Sequence, residues 1–518
     1  MKIEGLKHSK WTIVYLMWMC GVIILYSLFV DDPDDKAGLL VYNCIFSVLV
    51  PAFFVLVQGR MRRIALVVFF VVSLVPSLVE TGWFILDQSP LIRNQFWVVF
   101  DTNPSEAFGL LSMVEAWQWG CLIVFACISI DLFVLALSEC DRPNRLWVSW
   151  VGIGLIGALC LIPGIRHNVP YINFYNSYRG YWLDLQKAKA FMANRTDLTG
   201  LVTDGMPDST TIVVVIGESV TRHHCSLYGY CRPTNPRLAQ RDDIVVYEDV
   251  QSADYMTQTV LQQVLSFADE AHPEARWESP TLPELLHAAG WSTYWFDPYE
   301  GSYNTANSIP SGFSSIAKLC HTYHLADEGE QYDEGQLVHL DKALKDSTRK
   351  KAIFMHLIGN HFPYDHRYPQ TYRFFTDEDI CSPYADRLNA SQKAVINTYD
   401  DAVRYNDWLI DSVLNRLGEE QTSCAMLYFP DHGEEVYDYD LYAGRSFNHV
   451  TRSLYEIPCV FWQNEAYARA NRLYLDPHKA YCTADMIHTF LDLFAVSYAE
   501  QDTCRSLFRQ TERREDAE

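Results

Sequence analysis

Four short stretches of this sequence carry residue types that can do chemistry together. The apolar run "VVVIGESV" (213–220) ends in Glu218, and "HLIGNHFPY" (356–364) supplies His356 and His361. "PDHGEE" (430–435) supplies the adjacent Asp431 and His432, while "DYMTQTVLQQVLSF" (254–267) sets Thr257 just ahead of a helical run. Carboxylate oxygens and an imidazole nitrogen suit Zn2+, and a catalytic zinc keeps one coordination position open. A threonine hydroxyl in that position can ionise near neutral pH and attack phosphorus. A helix start beside it favours an anion through its unpaired N–H groups and its dipole. Taken singly, each residue has a plainer reading: Glu218 as a capping or surface carboxylate, Asp431-His432 as a solvated turn, Thr257 as an N-cap. Those readings do not explain why Glu, Asp and His all arrive at one sheet edge.

The strands are what bring them there. "TIVVVIG" (211–217), "STYWFD" (292–297), "KAIFMHLIG" (351–359), "SCAMLYFPDHG" (423–433) and "EIPCVFW" (456–462) read as strands. The first is a continuous apolar run of the kind buried on both faces of a parallel sheet. Between them, "SPTLPELLHAAG" (279–290) and "SQKAVINTYDDAVRYNDWLIDSVLNRLG" (391–418) have helical periodicity and stop at Gly. This alternation predicts an α/β domain over 211–518 with a mostly parallel central sheet. Ligands of such sheets bind beyond the carboxyl ends of the strands. The polar tail "RQTERREDAE" is expected to fray.

Ahead of this domain the composition changes. The chain has 518 residues, 49% of them hydrophobic, and residues 1–165 are much the more apolar part. Segments 11–30, 38–58, 64–86, 116–137 and 146–164 are each long and apolar enough to cross a bilayer, which takes roughly 20 residues. An α-helical domain of five transmembrane spans is therefore expected over 1–165. Basic residues precede the first span and follow the second and fourth (Lys2, Lys7 and Lys10; Arg60, Arg62 and Arg63; Arg142 and Arg145), and the link after the first is the mostly acidic "DDPDDK". That bias puts the N-terminus inside and everything after residue 165 outside. Residues 166–210 form a connector in which "YRGYWLDLQKAKAFM" (178–192) interleaves aromatic and basic residues, as a helix lying on a membrane surface does. The net charge of −23 argues against a nucleic-acid partner. Of the 14 cysteines, the eight beyond the spans (Cys225, Cys231, Cys320, Cys381, Cys424, Cys459, Cys482 and Cys504) permit disulfides without selecting any pairing. Glu80 and Asp131 fall within spans, where ionisable groups are candidates for function.

The blocks "VIGESVTRHHCSLYGYCRPTNPRL", "TQTVLQQVLSFA", "SPTLPELLHAAGWSTYWF", "HLIGNHFPYDHRYP", "INTYDDAVRYND" and "DHGEEVYD" resemble the motif series of bacterial phosphoethanolamine transferases. These are inner-membrane enzymes with a sulfatase-like domain of the alkaline-phosphatase superfamily, and the wording is most similar to the lipopolysaccharide-core-modifying branch. The resemblance implies zinc held by Glu218, Asp431 and His432, with Thr257 as nucleophile and further ligand. It also implies a multi-pass protein of the bacterial inner membrane, a catalytic domain in the periplasm, a phosphatidylethanolamine donor, and lipopolysaccharide or another envelope acceptor. His361 corresponds to a family histidine near the transferred phosphate, His449 is the candidate for the family's late histidine, and His356 is a candidate substrate contact. "FDTNPSEAFGLL" (100–111) resembles the lipid-side motif and makes Asn103 and Glu106 candidates for headgroup contacts. Three departures stand out: "WFDPYEG" replaces the family's usual wording after the second strand, no cysteines flank Thr257, and no histidine matches the late position cleanly. Thr259 and Thr221 are rival nucleophiles. A phosphoglycerol transferase of the same fold is the alternative activity, and a membrane sensor that has lost its chemistry is the non-enzymatic one. A true sulfatase is rejected because "CRPTN" lacks the arginine of a formylglycine motif.

Overall fold

The computed structural model describes residues 9–29, 33–87, 114, 116–139, 146–194, 198, 200–203, 205–297, 316, 318–325, 332–445 and 450–510. Two compact units emerge, essentially Met1–Asp184 and the chain from Leu185 onward. The division falls inside the segment read as a connector, because one helix, Pro170–Asn194, runs through it.

The first unit is helical: α1 (Lys10–Phe29), α2 (Pro33–Phe54), α3 (Gly59–Asp87), α4 (Ala116–Ser138), α5 (Leu146–Cys160) and the start of α6 (Pro170–Asn194). Among the described residues, Ala37–Phe54, Gly59–Ile85 and Ala116–Ser138 are helices long and apolar enough to span a membrane, and Leu146–Cys160 is a shorter apolar helix. Tyr15, Phe46, Phe54, Phe125 and Tyr171 form an aromatic-rich interior. Val48, Val71, Val75, Ile123, Trp147 and Trp150 are exposed on the outside. So large an apolar exterior suits lipid rather than water. Glu139, just past α4, accepts hydrogen bonds from Trp11 N (2.7 Å) and Thr12 N (2.9 Å), satisfying donors that the first turn of α1 leaves free. Glu80 is buried within α3, whereas Asp131 lies on the exposed side of α4.

The second unit is built on a seven-stranded sheet. In chain order its strands are β1 (Thr210–Gly217), β2 (Ile244–Tyr247), β3 (Ser292–Asp297), β4 (Cys320–His324), β5 (Lys350–His356), β6 (Ser423–Pro430) and β7 (Cys459–Gln463). They are arranged β2-β7-β6-β1-β5-β3-β4. β1 runs parallel to β5 and β6, and β3 runs parallel to both β5 and β4. Only β7 lies antiparallel to its neighbours β6 and β2. The mostly parallel sheet expected from the sequence is present. Two of its strands, β2 and β4, are not among the five expected from the sequence.

β1 is central, and both of its faces are covered. Ile212, Val214 and Ile216 join one core with Leu261, Phe354 and Phe490. Val213 and Val215 join the other with Met355, Leu409 and Leu414. That two-sided burial is why the strand reads as an unbroken apolar run. The covering helices include α7 (Thr257–Val264), α8 (Leu282–Ala288) and α9 (Ala390–Glu419). Two of them start on reciprocal caps, Thr281 with Glu284 for α8 and Asn389 with Gln392 for α9. Cys231 and Cys381 form a disulfide that closes a separation of 150 residues.

Candidate active site

Strand register builds the site. Gly217 on β1 pairs with Pro430 on β6, so Glu218 and Asp431 leave adjacent parallel strands side by side. Asp431 N continues the ladder by donating to Gly217 O at 3.0 Å. On the other flank Ile216 pairs with His356 of β5, and the loop beyond returns to let Asn360 N donate to Glu218 O at 2.8 Å. This loop can approach because residue 359 is glycine. A Cβ there would lie 2.7 Å from Glu218 O, and the φ of +48° disfavours other residues as well. Asp333 anchors the same loop by accepting from Ile358 N and Gly359 N, both at 2.9 Å. Ser219 takes a left-handed φ of 59° immediately after Glu218, a strained position of the kind found at functional sites.

Glu218, Asp431 and His432 are all buried, and one ligand atom from each lies within 4.8 Å of the others. His432 Nδ1 is 2.7 Å from Gly433 O, and a carbonyl only accepts, so Nδ1 carries the proton. Nε2 is left with its lone pair, the form a metal requires. Burial, reinforced by the charge of Arg445, pushes the imidazole below its ordinary pKa and keeps it neutral. Asp431 Oδ2 is buried and receives no hydrogen bond. Burial and the adjacent Glu218 charge push the Asp431 carboxyl well above its usual range. Two carboxylates buried side by side, one with an unbonded oxygen, and an imidazole lone pair on the same point make a set that fits a metal cation.

Thr257 meets this set directly. Its Oγ1 is 3.1 Å from Glu218 Oε2 and 3.2 Å from His432 Nε2. The N-cap of α7 is Met256 and Thr257 is the first helical residue, so the simple capping reading does not hold. Thr221 is fully buried, its hydroxyl taken up by His223 N and Glu456 O, both at 3.4 Å. Thr259 lies two positions further along α7.

His361 Nδ1 is 2.9 Å from Phe362 O, and burial pushes its pKa down to about 4. It stands in the same loop as Gly359, with Glu218 and Arg445 close enough to act on its charge. His356 sits lower, at the end of β5, buried beside Trp295 with Nδ1 3.9 Å from Asp297 Oδ2. His449, Asn103 and Glu106 lie outside the described residues.

Two neighbours escaped the sequence reading. Arg445 brings Nη1 to 2.5 Å from His432 Nε2 and Nη2 to 3.8 Å from Glu218 Oε1. Glu434 accepts from Tyr364 Oη at 3.0 Å and faces Arg445 Nε at 3.4 Å. Burial raises its pKa to about 7. Glu434 was visible within "DHGEE", but Arg445 stands well downstream in a segment without strand or helix periodicity.

Residues 210–496 match the sulfatase family model. The zinc complex of the C-terminal periplasmic domain of EptC from Escherichia coli superimposes with a TM-score of 0.56 at 30% identity, covering 61% of this chain and 90% of that one. The chain belongs to the sulfatase family, among its phosphoethanolamine transferases. Similarity to transferases of this kind extends beyond the part that superimposes on that domain. Phosphoethanolamine transferase EptC of Escherichia coli strain K12 is 27% identical over 98% of this chain and 93% of its own length. The integral membrane lipooligosaccharide phosphoethanolamine transferase EptA of Neisseria meningitidis has the same fold, with a TM-score of 0.67 over 95% of this chain and 99% of that one at 18% identity.

Proposed function

We propose that this protein transfers phosphoethanolamine from phosphatidylethanolamine to an envelope acceptor, the lipopolysaccharide core or lipid A, through a covalent intermediate on Thr257. The observation that carries the reading is the position of Thr257 Oγ1, within 3.2 Å of both Glu218 and His432 at the first turn of a helix. The names of the similar transferases support the same chemistry. Glu218, Asp431 and His432 would hold Zn2+. When bound, the metal would supply Lewis acidity that favours the ionised hydroxyl and offsets charge on phosphoryl oxygens.

In the first half-reaction the Thr257 oxygen attacks phosphorus, the bond from phosphorus to the glycerol oxygen breaks, and diacylglycerol leaves. The proton lost from Oγ1 ends on that glycerol oxygen. In the second, an acceptor hydroxyl or phosphate oxygen attacks the same phosphorus, the bond from phosphorus to Thr257 Oγ1 breaks, and Oγ1 takes back a proton from the acceptor or from solvent. His361 would bind the phosphoryl group or carry these protons. Asn103 and Glu106 would contact the donor headgroup, His356 would support the substrate pocket from beneath, and His449 would assist near the phosphate. Five N-terminal helices would cross the bacterial inner membrane, with α5 and α1 completing the three longer apolar ones. Residues beyond 165 would then lie in the periplasm, with 166–210 as the link.

Transfer of labelled phosphoethanolamine to lipopolysaccharide tests this reading. Thr257→Ala should abolish it and Thr259→Ala should not, and full activity in Thr257→Ala would overturn the mechanism. Mass spectrometry of lipopolysaccharide from cells with and without the gene identifies the acceptor.

A further inference from the structure

We propose that Arg445 is a phosphate-binding residue of this site, its guanidinium gripping non-bridging oxygens of the transferred phosphoryl group. The inference rests on the reading that Thr257 carries that group. The Arg445 side chain is 20% exposed and comes to the cluster from beyond β6. Its Nη1 touches His432 Nε2 at 2.5 Å and Tyr255 O at 3.3 Å, two residues before Thr257. One imidazole nitrogen therefore separates the guanidinium from the Thr257 oxygen.

A purely structural role fits these contacts poorly. Arginine locked in an ion pair grips its carboxylate with two short parallel hydrogen bonds. Arg241 does this to Asp243 in the same domain, at 2.9 Å for both. Arg445 instead stands 3.8 Å from Glu218 and 3.4 Å from Glu434, so its fork is not spent on either. The nearby Arg367 is committed differently, donating to the backbone carbonyls of His361 (2.5 Å) and Phe362 (2.9 Å).

Charge points the same way. A divalent cation would balance Glu218 and Asp431, and His432 and His361 each hold their ring proton on the nitrogen that faces a carbonyl. The negative charge carried by the non-bridging phosphoryl oxygens during transfer then needs a further cation. Guanidinium stays charged at every working pH, and its planar donors match two phosphoryl oxygens.

The test uses the full chain in detergent, loaded with zinc, as wild type, Arg445→Ala and Arg445→Lys. Three quantities are measured: inorganic phosphate affinity by calorimetry, zinc content by elemental analysis, and the rate at which the Thr257 adduct forms from phosphatidylethanolamine. Arg445→Ala should keep wild-type zinc, weaken phosphate binding about 10-fold or more, and slow adduct formation about 100-fold. Arg445→Lys should fall between, because a point charge replaces the fork. Unchanged phosphate affinity and adduct rate in Arg445→Ala would overturn the proposal, as would loss of zinc from both variants, which would make Arg445 a prop for the metal ligands. If wild type forms no adduct on Thr257, the parent reading fails, while phosphate calorimetry still decides the role of Arg445.

Discussion

At the scale of single residues, the site is a charge arrangement that protein alone does not balance. Glu218 and Asp431 leave neighbouring strands side by side and buried, and His432 turns Nε2 toward both. Replacing Asp431 by Asn, or His432 by Ala, should therefore remove most of the bound metal. Elemental analysis of purified protein checks this, and wild-type zinc content in both variants would contradict the ligand assignment. Because a metal that binds only the folded state adds to stability, chelation should also lower the thermal midpoint of wild type more than that of Asp431→Asn. Glu218, Asp431, His432 and Thr257 were legible because each follows directly on an apolar run or opens a helix. Arg445 was not, since nothing in the local pattern marks a loop arginine that folds back onto the strand ends.

At the scale of elements, register does the positioning, and the loop after β5 depends on one buried acid. Asp333 accepts from Ile358 N and Gly359 N, which holds Gly359 against Glu218. Burial raises its pKa to about 6, above the unfolded value near 4. The fold thus prefers the protonated acid. The stability this contributes is present below about pH 4 and is lost as pH rises through about 6, by an amount on the order of 2–3 kcal/mol. Asparagine cannot ionise, so the stability of wild type minus that of Asp333→Asn should fall across this window. Chemical denaturation at a series of pH values measures it, and a flat difference would contradict the assignment. The long strands and the two capped helices could be read from the chain because burial on both faces and reciprocal caps leave local marks. The edge strands β2 and β4 were not read: "CHTYH" has no apolar run, and "IVVY", though apolar and β-branched, is only four residues long; both are partly exposed and paired with neighbours distant in sequence.

At the scale of the whole molecule, apolar helices precede a catalytic domain whose proposed donor is a lipid. The disulfide between Cys231 and Cys381 suits an oxidising compartment. Eight cysteines beyond the spans left this pairing open, because disulfide partners are set by the fold. A phosphatase reporter fused at residue 190 should be active in cells, and an inactive one would contradict the extracytoplasmic orientation. The most direct test of the central claim gives the full chain phosphatidylethanolamine but no acceptor. Released diacylglycerol and the modified peptide are then quantified together by mass spectrometry. About one diacylglycerol per zinc-loaded molecule is expected, as a burst matched by a phosphoethanolamine adduct on Thr257. Diacylglycerol released with no adduct, or an adduct on Thr259 or Thr221, would contradict it.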